Sequence, residues 1–74
     1  MSASIGQRIR ILRTRCDLSQ RELAERMGVS PQAVSKWETD RACPDIGFLW
    51  SLCRLLRVTT DTLLAPEFSG KEGV

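Results

Sequence analysis

The sequence predicts an all-α domain of five helices, and two observations support that prediction. Apolar side chains recur at spacings of three and four residues, which is the period of a helix with one buried face. Serine, threonine or aspartate stands immediately before these apolar runs, where helix-capping side chains are expected. We find no run that alternates between apolar and polar residues as a half-buried strand does, so the prediction contains no sheet.

The first helix is predicted to begin after Ser4, behind a short leader of residues 1–4. Arginines surround its apolar face, a pattern that usually indicates a solvated surface, although we expect at least one arginine to do more. Ile11 falls at the edge of the apolar face. The face comprises Ile5, Ile9, Leu12 and Cys16, and the arginines are Arg8, Arg10, Arg13 and Arg15.

Two short helices joined by a tight turn are predicted between Ser19 and Glu38. Ser19 and Glu22 have the spacing of a capping box, so the second helix should begin near Gln20. Gly28 stands where a left-handed residue would end that helix. Ser30 then caps the third helix, with Pro31 at its first position, where a missing N–H costs nothing. The apolar residues of the second helix are Leu23, Ala24 and Met27.

The third helix, from Pro31 to about Thr39, should present a polar face without acidic side chains. At 100° per residue, Val34 and Trp37 point inward with Ala33 at the margin. The opposite side carries Gln32, Ser35, Lys36 and Thr39. Glutamine pairs with adenine, lysine donates to guanine acceptors, and hydroxyls reach bases or phosphates, so this surface fits a helix that reads base edges.

Two more helices are predicted after a polar loop closed by Pro44. Asp45 should cap the fourth, which runs to about Leu56, and either Thr59 or Thr60 should cap a fifth helix from Asp61 to about Leu64. The buried residues expected in the fourth helix are Leu49, Leu52, Cys53 and Leu56, with Ile46 one turn earlier. Leu63 and Leu64 should close the base of the core.

Three large apolar residues of the fourth helix, Phe48, Trp50 and Leu55, lie off its buried stripe. Two interpretations are open. An exposed aromatic among them would indicate a partner surface, whereas a broad helix face or the fifth helix would cover them all.

Length and charge restrict the classes of function. With 74 residues the chain is one small domain, which we place at residues 1–64, followed by a flexible C-terminal tail at 65–74. The formal net charge is only +2, so an ordinary mixed surface is as consistent with the total as a nucleic-acid binder is. The distribution is more informative, because eight of the eleven basic residues and only five acids fall within the first 41 positions.

The three cysteines, Cys16, Cys43 and Cys53, form no CxxC pair and the chain has no histidine, so we expect no metal and no disulfide framework. Free cysteines fit a reducing compartment, and no apolar run reaches membrane-spanning length or forms a signal peptide. We therefore expect a cytoplasmic protein. Cys16 and Cys53 fit the core. Cys43 lies in a loop, either as an ordinary exposed thiol or as a redox sensor.

An ordered set of short motifs extends from Ile5 to Leu64. Its members are Ile9-x-x-Leu12-Arg13, Leu18-Ser19-Gln20-x-x-Leu23-Ala24, Gly28-Val29-Ser30 and Val34-Ser35-Lys36-Trp37-Glu38, followed by Pro44, Val58 and Leu63. Each is weakly specific alone, but in this order and spacing they resemble the lambda-repressor-like helix-turn-helix family, the Cro and phage-repressor group also called the xenobiotic-response-element type. The resemblance implies a compact five-helix DNA-binding domain with the helix-turn-helix at helices two and three.

That resemblance also implies roles for individual residues. The third helix would contact bases, and residues around it would contact phosphates. An arginine on the first helix would pair with the glutamate that closes the third, here Arg13 and Glu38. The expected base-contacting residues are Pro31, Gln32, Ser35 and Lys36, with Pro31 replacing the commoner polar residue. The expected phosphate contacts are Gln20, Ser30, Thr39, Arg41 and Arg13.

The loop after the third helix departs from the family, which usually has a glycine where this chain has Asp40. Aspartate tolerates a left-handed backbone better than most residues, so the turn should form, with Arg41 offsetting the acid beside phosphate.

The predicted function is a sequence-specific double-stranded DNA-binding transcriptional regulator, most simply a repressor. We expect a homodimer, at least on DNA, through helices four and five, with Trp50, Leu55 and Arg57 as candidates. The alternative is a protein-interaction module such as an antitoxin or an antirepressor-type partner. We predict no enzyme activity and no cofactor, because the sequence has no histidine, phosphate-binding loop or activated nucleophile.

Overall fold

Five helices build the domain, and all five were predicted. The computed structural model describes residues 3–64, and within that range it contains no strand. The helices are α1 Ile5–Arg15, α2 Gln20–Met27, α3 Pro31–Glu38, α4 Ile46–Leu56 and α5 Thr60–Leu64. The all-α prediction is confirmed. The predicted tail at residues 65–74 lies outside the described residues.

Local side-chain hydrogen bonds explain where the helices begin. Ser19 Oγ accepts from the Glu22 N–H at 3.0 Å, and Glu22 Oε1 accepts from the Ser19 N–H at 2.8 Å, which completes the predicted capping box. The bond from the Ser19 N–H, together with the nearby Ser19 hydroxyl, lowers the pKa of the Glu22 carboxyl. Ser4 and Gln7 form a second capping box at the start of α1. Ser30 caps α3 and Asp45 caps α4, as predicted.

The short fifth helix begins one residue earlier than expected. Thr59 Oγ1 accepts from the Thr62 N–H at 3.0 Å, so Thr59 rather than Thr60 is the capping side chain. Thr60 is the first residue of α5.

Left-handed residues follow four of the helices. At the end of α2, Gly28 has φ 72° and the Val29 N–H donates to the Ala24 carbonyl at 3.0 Å. This reversal, a Schellman motif, also ends α1, α3 and α4. In those three helices the left-handed residue is not glycine but Asp17, Asp40 or Arg57.

The core lies between the helices, where the inner face of α3 packs on α1 and α2, and α5 packs on α1 and α4. Val34 is fully buried and Trp37 is 6% exposed, and the Trp37 ring packs on Phe48 with 5.6 Å between ring centroids. Phe48 and Leu55 are half-buried against this core, so two of the three residues off the buried stripe of α4 are covered. Trp50 is 60% exposed and is the exposed aromatic that the other interpretation requires. The buried apolar residues are Ile9, Leu12, Leu23, Ala24, Val34, Trp37, Leu52, Cys53, Leu56 and Leu63.

Two predictions of core residues are wrong. Ile46 is 85% exposed: it is the first residue of α4, and the buried residues of that helix all lie in its last two turns. Leu64 is 44% exposed, since it ends α5 and Leu63 alone closes the core there.

The interpretation of the α1 arginines as a solvated face is wrong for two of the four. Arg10 and Arg15 are exposed, but Arg8 and Arg13 are buried. Arg8 Nη1 donates to the Leu63 carbonyl oxygen at 2.7 Å and so fastens the end of α5 to α1. A buried arginine tolerates this position only because its hydrogen bonds compensate its lost hydration.

Candidate nucleic-acid interface

The outward face of α3 is polar, accessible and free of acidic side chains. Pro31, Gln32 and Lys36 are exposed and Ser35 is half-buried. The helix contains one acid, Glu38, which is 6% exposed and directed inward. A polyanion approaching this face would therefore meet donors and one ammonium group without repulsion from the helix itself.

The turn between α2 and α3 carries an exposed hydroxyl, that of Ser30. Ser30 Oγ accepts from the Ala33 N–H at 3.2 Å, which uses a lone pair of the hydroxyl and leaves its hydrogen available to an outside acceptor. Ser30 is exposed. The predicted phosphate contact from Ser30 is chemically compatible with its capping bond.

A network of hydrogen bonds around the buried Glu38 lies behind the outward face of α3. Arg13 Nε donates to Glu38 Oε2 at 2.5 Å and Arg13 Nη2 donates to Glu38 Oε1 at 3.1 Å, so the pair is bidentate. Gln20 Nε2 donates to the same Glu38 Oε1 at 3.0 Å. Arg13 Nη1 completes the network by donating to the Leu18 carbonyl at 2.7 Å. The carboxylate that closes α3 is thereby bonded to side chains from α1 and α2.

The network changes how Arg13 and Gln20 would act. All three guanidinium nitrogens of Arg13 donate within the protein and its side chain is only 10% exposed. Arg13 is therefore placed to orient Glu38 rather than to reach outward. Gln20 is half-buried and retains a second amide hydrogen, so a phosphate contact is compatible with its bond to Glu38.

The end of α3 carries Thr39 and Arg41, both exposed. Thr39 Oγ1 donates to the Ser35 carbonyl at 2.9 Å, so contact with a phosphate oxygen would replace that internal bond. The Arg41 N–H donates to the Lys36 carbonyl at 2.9 Å, which folds the loop back against the helix and leaves the guanidinium outside.

Asp40 has a structural role that the sequence did not reveal. It adopts φ 60° and occupies the left-handed position of the turn, as predicted for an aspartate replacing glycine. Its carboxylate also accepts from the Gly6 N–H at 3.0 Å and from Ser4 Oγ at 2.6 Å. These partners lie more than 30 residues away in α1 and its cap, so the bonds depend on tertiary packing. The one available signal was an acid at a position where the family usually has glycine.

The candidate dimer residues fall on two sides of α4. Trp50 and Ile46 are exposed and share one side of the helix, whereas the exposed Arg57 follows the helix as its left-handed capping residue. Leu55 is half-buried and lies about 140° around the helix from Trp50 at 100° per residue. Around α4 the structure therefore separates Leu55 from Trp50, and it places Arg57 just beyond the last residue of the helix.

Neither a metal centre nor a membrane span is found over residues 3–64. That range holds no group of three or more histidine, cysteine or acidic side chains that could coordinate a metal ion. None of its helices has both the length and the apolar character required to cross a bilayer. Its three cysteines are free thiols: Cys43 exposed, Cys16 half-buried and Cys53 buried.

Comparison with known proteins agrees with the geometry of α2 and α3. A profile of the helix-turn-helix family matches residues 9–63. The chain belongs to the helix-turn-helix family. The resemblance noted from its motifs is confirmed, and the matched range includes all but the first turn of α1 and the last residue of α5.

Individual family members resemble the chain in sequence and in structure. The transcriptional activator BcrR of Enterococcus faecalis is 38% identical over 62 residues, which are 84% of this chain and 30% of BcrR. The P22 c2 repressor bound to a synthetic operator superimposes with a TM-score of 0.81 at 33% identity, covering 86% of this chain and 97% of that one. SinR in complex with DNA gives 0.76 at 39% identity, covering 82% and 98%. The chain spans 30–56% of the length of the curated relatives it matches.

Proposed function

We propose that this helix-turn-helix chain is a sequence-specific double-stranded DNA-binding transcriptional regulator, acting as a repressor by occupying an operator. The observation that carries the proposal is the exposed, acid-free face of α3, held from behind by the bonds of Arg13 and Gln20 to Glu38. Relatives whose structures contain operator or other DNA share the fold at 33–39% identity. We place the binding unit at residues 1–64.

In this proposal α3 lies in the major groove. Gln32 and Lys36 donate to base edges, and Pro31 packs on a thymine methyl group. The half-buried Ser35 also contacts a base edge through its hydroxyl. The backbone phosphates are bound by Gln20, Ser30, Thr39 and Arg41, which fix the position of the domain without reading sequence. Arg13 supports the phosphate site indirectly, because it holds the Glu38 carboxylate to which Gln20 is bonded.

A homodimer formed on DNA fits the small interface that one such domain offers. Two copies on half-sites about 34 Å apart, one helical turn, would gain the specificity that a single α3 lacks. The exposed Trp50, with Ile46 on the same side of α4 and Arg57 after the end of the helix, is the surface we assign to that contact. Two exposed apolar side chains, Ile46 and Trp50, provide far less area than a stable dimer interface buries, so the contact should form only when DNA holds both copies.

The protein-interaction alternative is less well supported. An antitoxin or antirepressor-type module would not require Gln32 and Lys36 to be exposed on a helix face free of acids. A further protein partner is nevertheless compatible with DNA binding, as the structure of the SinR and SinI proteins in complex indicates for that relative. DNA-binding regulators work in the cytoplasm of bacteria, and we assign the chain there without any catalytic role.

Selection of duplexes from a random DNA pool at two salt concentrations tests the proposal. We expect enrichment of an inverted repeat with half-sites about 10 base pairs apart. A matched control is Lys36→Glu, which reverses one exposed charge on α3 and should keep the melting temperature while abolishing enrichment. Salt-sensitive binding without any enriched sequence would contradict the proposal and favour the protein-interaction module.

A further inference from the structure

Asp40, which follows α3, is hydrogen-bonded to the start of α1. We call its bonds to Gly6 and Ser4 the Asp40 brace. Its two carboxylate oxygens accept from two different groups of α1 and its cap, with Oδ1 bonded to the Gly6 N–H at 3.0 Å and Oδ2 to Ser4 Oγ at 2.6 Å. The Ser4 hydroxyl simultaneously accepts from the Gln7 N–H at 3.1 Å. One side chain from the loop thus connects to the whole capping arrangement of α1.

This brace supplies α1 with a negative charge that the helix lacks. The first turn of α1 contains no acidic residue of its own, although an acid there is stabilised by the unpaired N–H groups and the helix dipole. Asp40 provides that charge from a position 34 residues after Gly6. Its place in the Schellman turn keeps the carboxylate directed at α1, because the Asp40 N–H is bonded to the Trp37 carbonyl at 3.2 Å.

We propose that Asp40 is a positioning residue for DNA binding, which holds the last turn of α3 and the adjacent Arg41 in register with α1. The inference rests on the proposed function. Lys36 and Arg41 flank the braced turn, since the Arg41 N–H is bonded to the Lys36 carbonyl at 2.9 Å. Binding side chains are placed accurately only when a supporting layer fixes the backbone that carries them.

A positioning carboxylate and an idle carboxylate should have opposite effects on DNA affinity when they are removed. An acid beside DNA phosphates repels them, so removing an idle carboxylate should tighten binding. Removing a brace should instead loosen Lys36 and Arg41 and weaken selective binding. The sign of the change therefore distinguishes the two roles.

The chain offers a matched control in Asp17. Asp17 also occupies the left-handed position of a Schellman turn, with φ 58°, and its carboxylate makes no hydrogen bond or ion pair with any described residue. Asp17→Gly and Asp40→Gly make the same chemical change, relax the same backbone conformation and raise the net charge equally. Only Asp40→Gly also removes the two hydrogen bonds to the start of α1.

The experiment measures affinity for a selected duplex and for a random duplex, well below the melting temperature of every variant. Relative to Asp17→Gly, we expect Asp40→Gly to bind the selected duplex about five- to tenfold more weakly, the loss given by about one ordinary hydrogen bond, with a smaller loss on random DNA through Arg41. Asp40→Asn should rescue selectivity, because asparagine tolerates the left-handed turn, accepts from Gly6 and donates to Ser4 Oγ. Hydrogen exchange at the Gly6 amide should accelerate in Asp40→Gly alone, in the absence of DNA.

Each contrary outcome has a distinct meaning. Selective binding by Asp40→Gly that equals or exceeds that of Asp17→Gly would overturn the positioning role while leaving the proposed function intact. Asp40→Asn as weak as Asp40→Gly would overturn the brace as described, since asparagine keeps both bonds. A wild-type protein that selects no duplex would overturn the proposed function and this inference with it.

Discussion

Arg13 and Glu38 form a buried bidentate ion pair that joins α1 to the last residue of α3. The Nε and Oε2 atoms are 2.5 Å apart, and the side chains are 10% and 2% exposed. Gln20 adds a third hydrogen bond to the same carboxylate. The carboxylate therefore fixes the end of α3 to both α1 and α2.

Removing this carboxylate should destabilise the domain strongly. Glu38→Ala leaves the Arg13 guanidinium buried without its counter-ion, which costs about 3–5 kcal/mol in other buried pairs. Urea denaturation would measure the loss. Glu25→Ala removes an exposed carboxylate from α2 and should change the free energy of unfolding little. Equal melting of the two variants would show that the pair contributes nothing to stability.

Replacing Gly6 by alanine should destabilise the domain, whereas the same change at Gly47 should not. Both are the second residue of a helix. A Cβ at Gly6 would lie 2.8 Å from the Glu38 carbonyl oxygen and 2.7 Å from Asp40 Oδ1, and closer still to the Trp37 carbonyl oxygen. Because two of these atoms are backbone, α1 and α3 would have to separate.

We expect Gly6→Ala to reduce the free energy of unfolding by about 1–3 kcal/mol or more, as overpacking does. Gly47→Ala meets nothing closer than Asp45 Oδ1 at 3.6 Å and should instead stabilise α4 by about 0.5–1 kcal/mol. Thermal melting of both variants tests the contrast. An equally stable Gly6→Ala protein would mean that the close approach of α1 and α3 does not persist in solution.

Patterns confined to neighbouring residues were predicted well from the sequence. The Ser19–Glu22 capping box, the left-handed Gly28 and the inward face of α3 all follow from local hydrogen-bonding geometry and helical period. Such features need no knowledge of which helices pack together. They were enough for the fold and for the exposed face of α3.

Most contacts between residues far apart in the chain could not be predicted from the sequence. The bond of Arg8 to the Leu63 carbonyl joins residues 55 apart, and an arginine in a charged helical face gives no sign that it will be buried. The bond of Asp40 to Gly6 depends equally on the packing of α1 on α3. The prediction that Ile46 is buried was wrong for a related reason. Helical period identifies one face of a helix, but it does not show how far along that face the neighbouring helices cover it.

Burial should order the reactivity of the cysteines. Cys43 is exposed and Cys16 half-buried, whereas Cys53 lies in the core. Burial raises the pKa of the Cys53 thiol, so at a given pH a smaller fraction is the reactive thiolate. With iodoacetamide at mildly alkaline pH, mass spectrometry should show alkylation of Cys43 first and of Cys53 last. In denaturant the three rates should converge, and modification of native Cys53 as fast as Cys43 would contradict the packing of α4.

Lys36 and Arg41 should make different contributions to DNA binding. Lys36 lies on the exposed face of α3, so Lys36→Ala should weaken the selected duplex more than random DNA and relax the base preference at one position. Arg41 follows the helix in the loop, so Arg41→Ala should weaken all duplexes about equally and reduce the salt dependence of binding by about one phosphate contact.

Affinities measured across a salt series on selected and random duplexes separate the two effects. Arg54→Ala is the control, since Arg54 is also an exposed cation but belongs to α4, and its loss should leave the salt slope nearly unchanged. If Lys36→Ala lost equal affinity on both duplexes, Lys36 would bind phosphate rather than a base. The reading face of α3 would then be rotated toward Gln32 and Ser35, because a helix in the major groove directs only one side at the base edges.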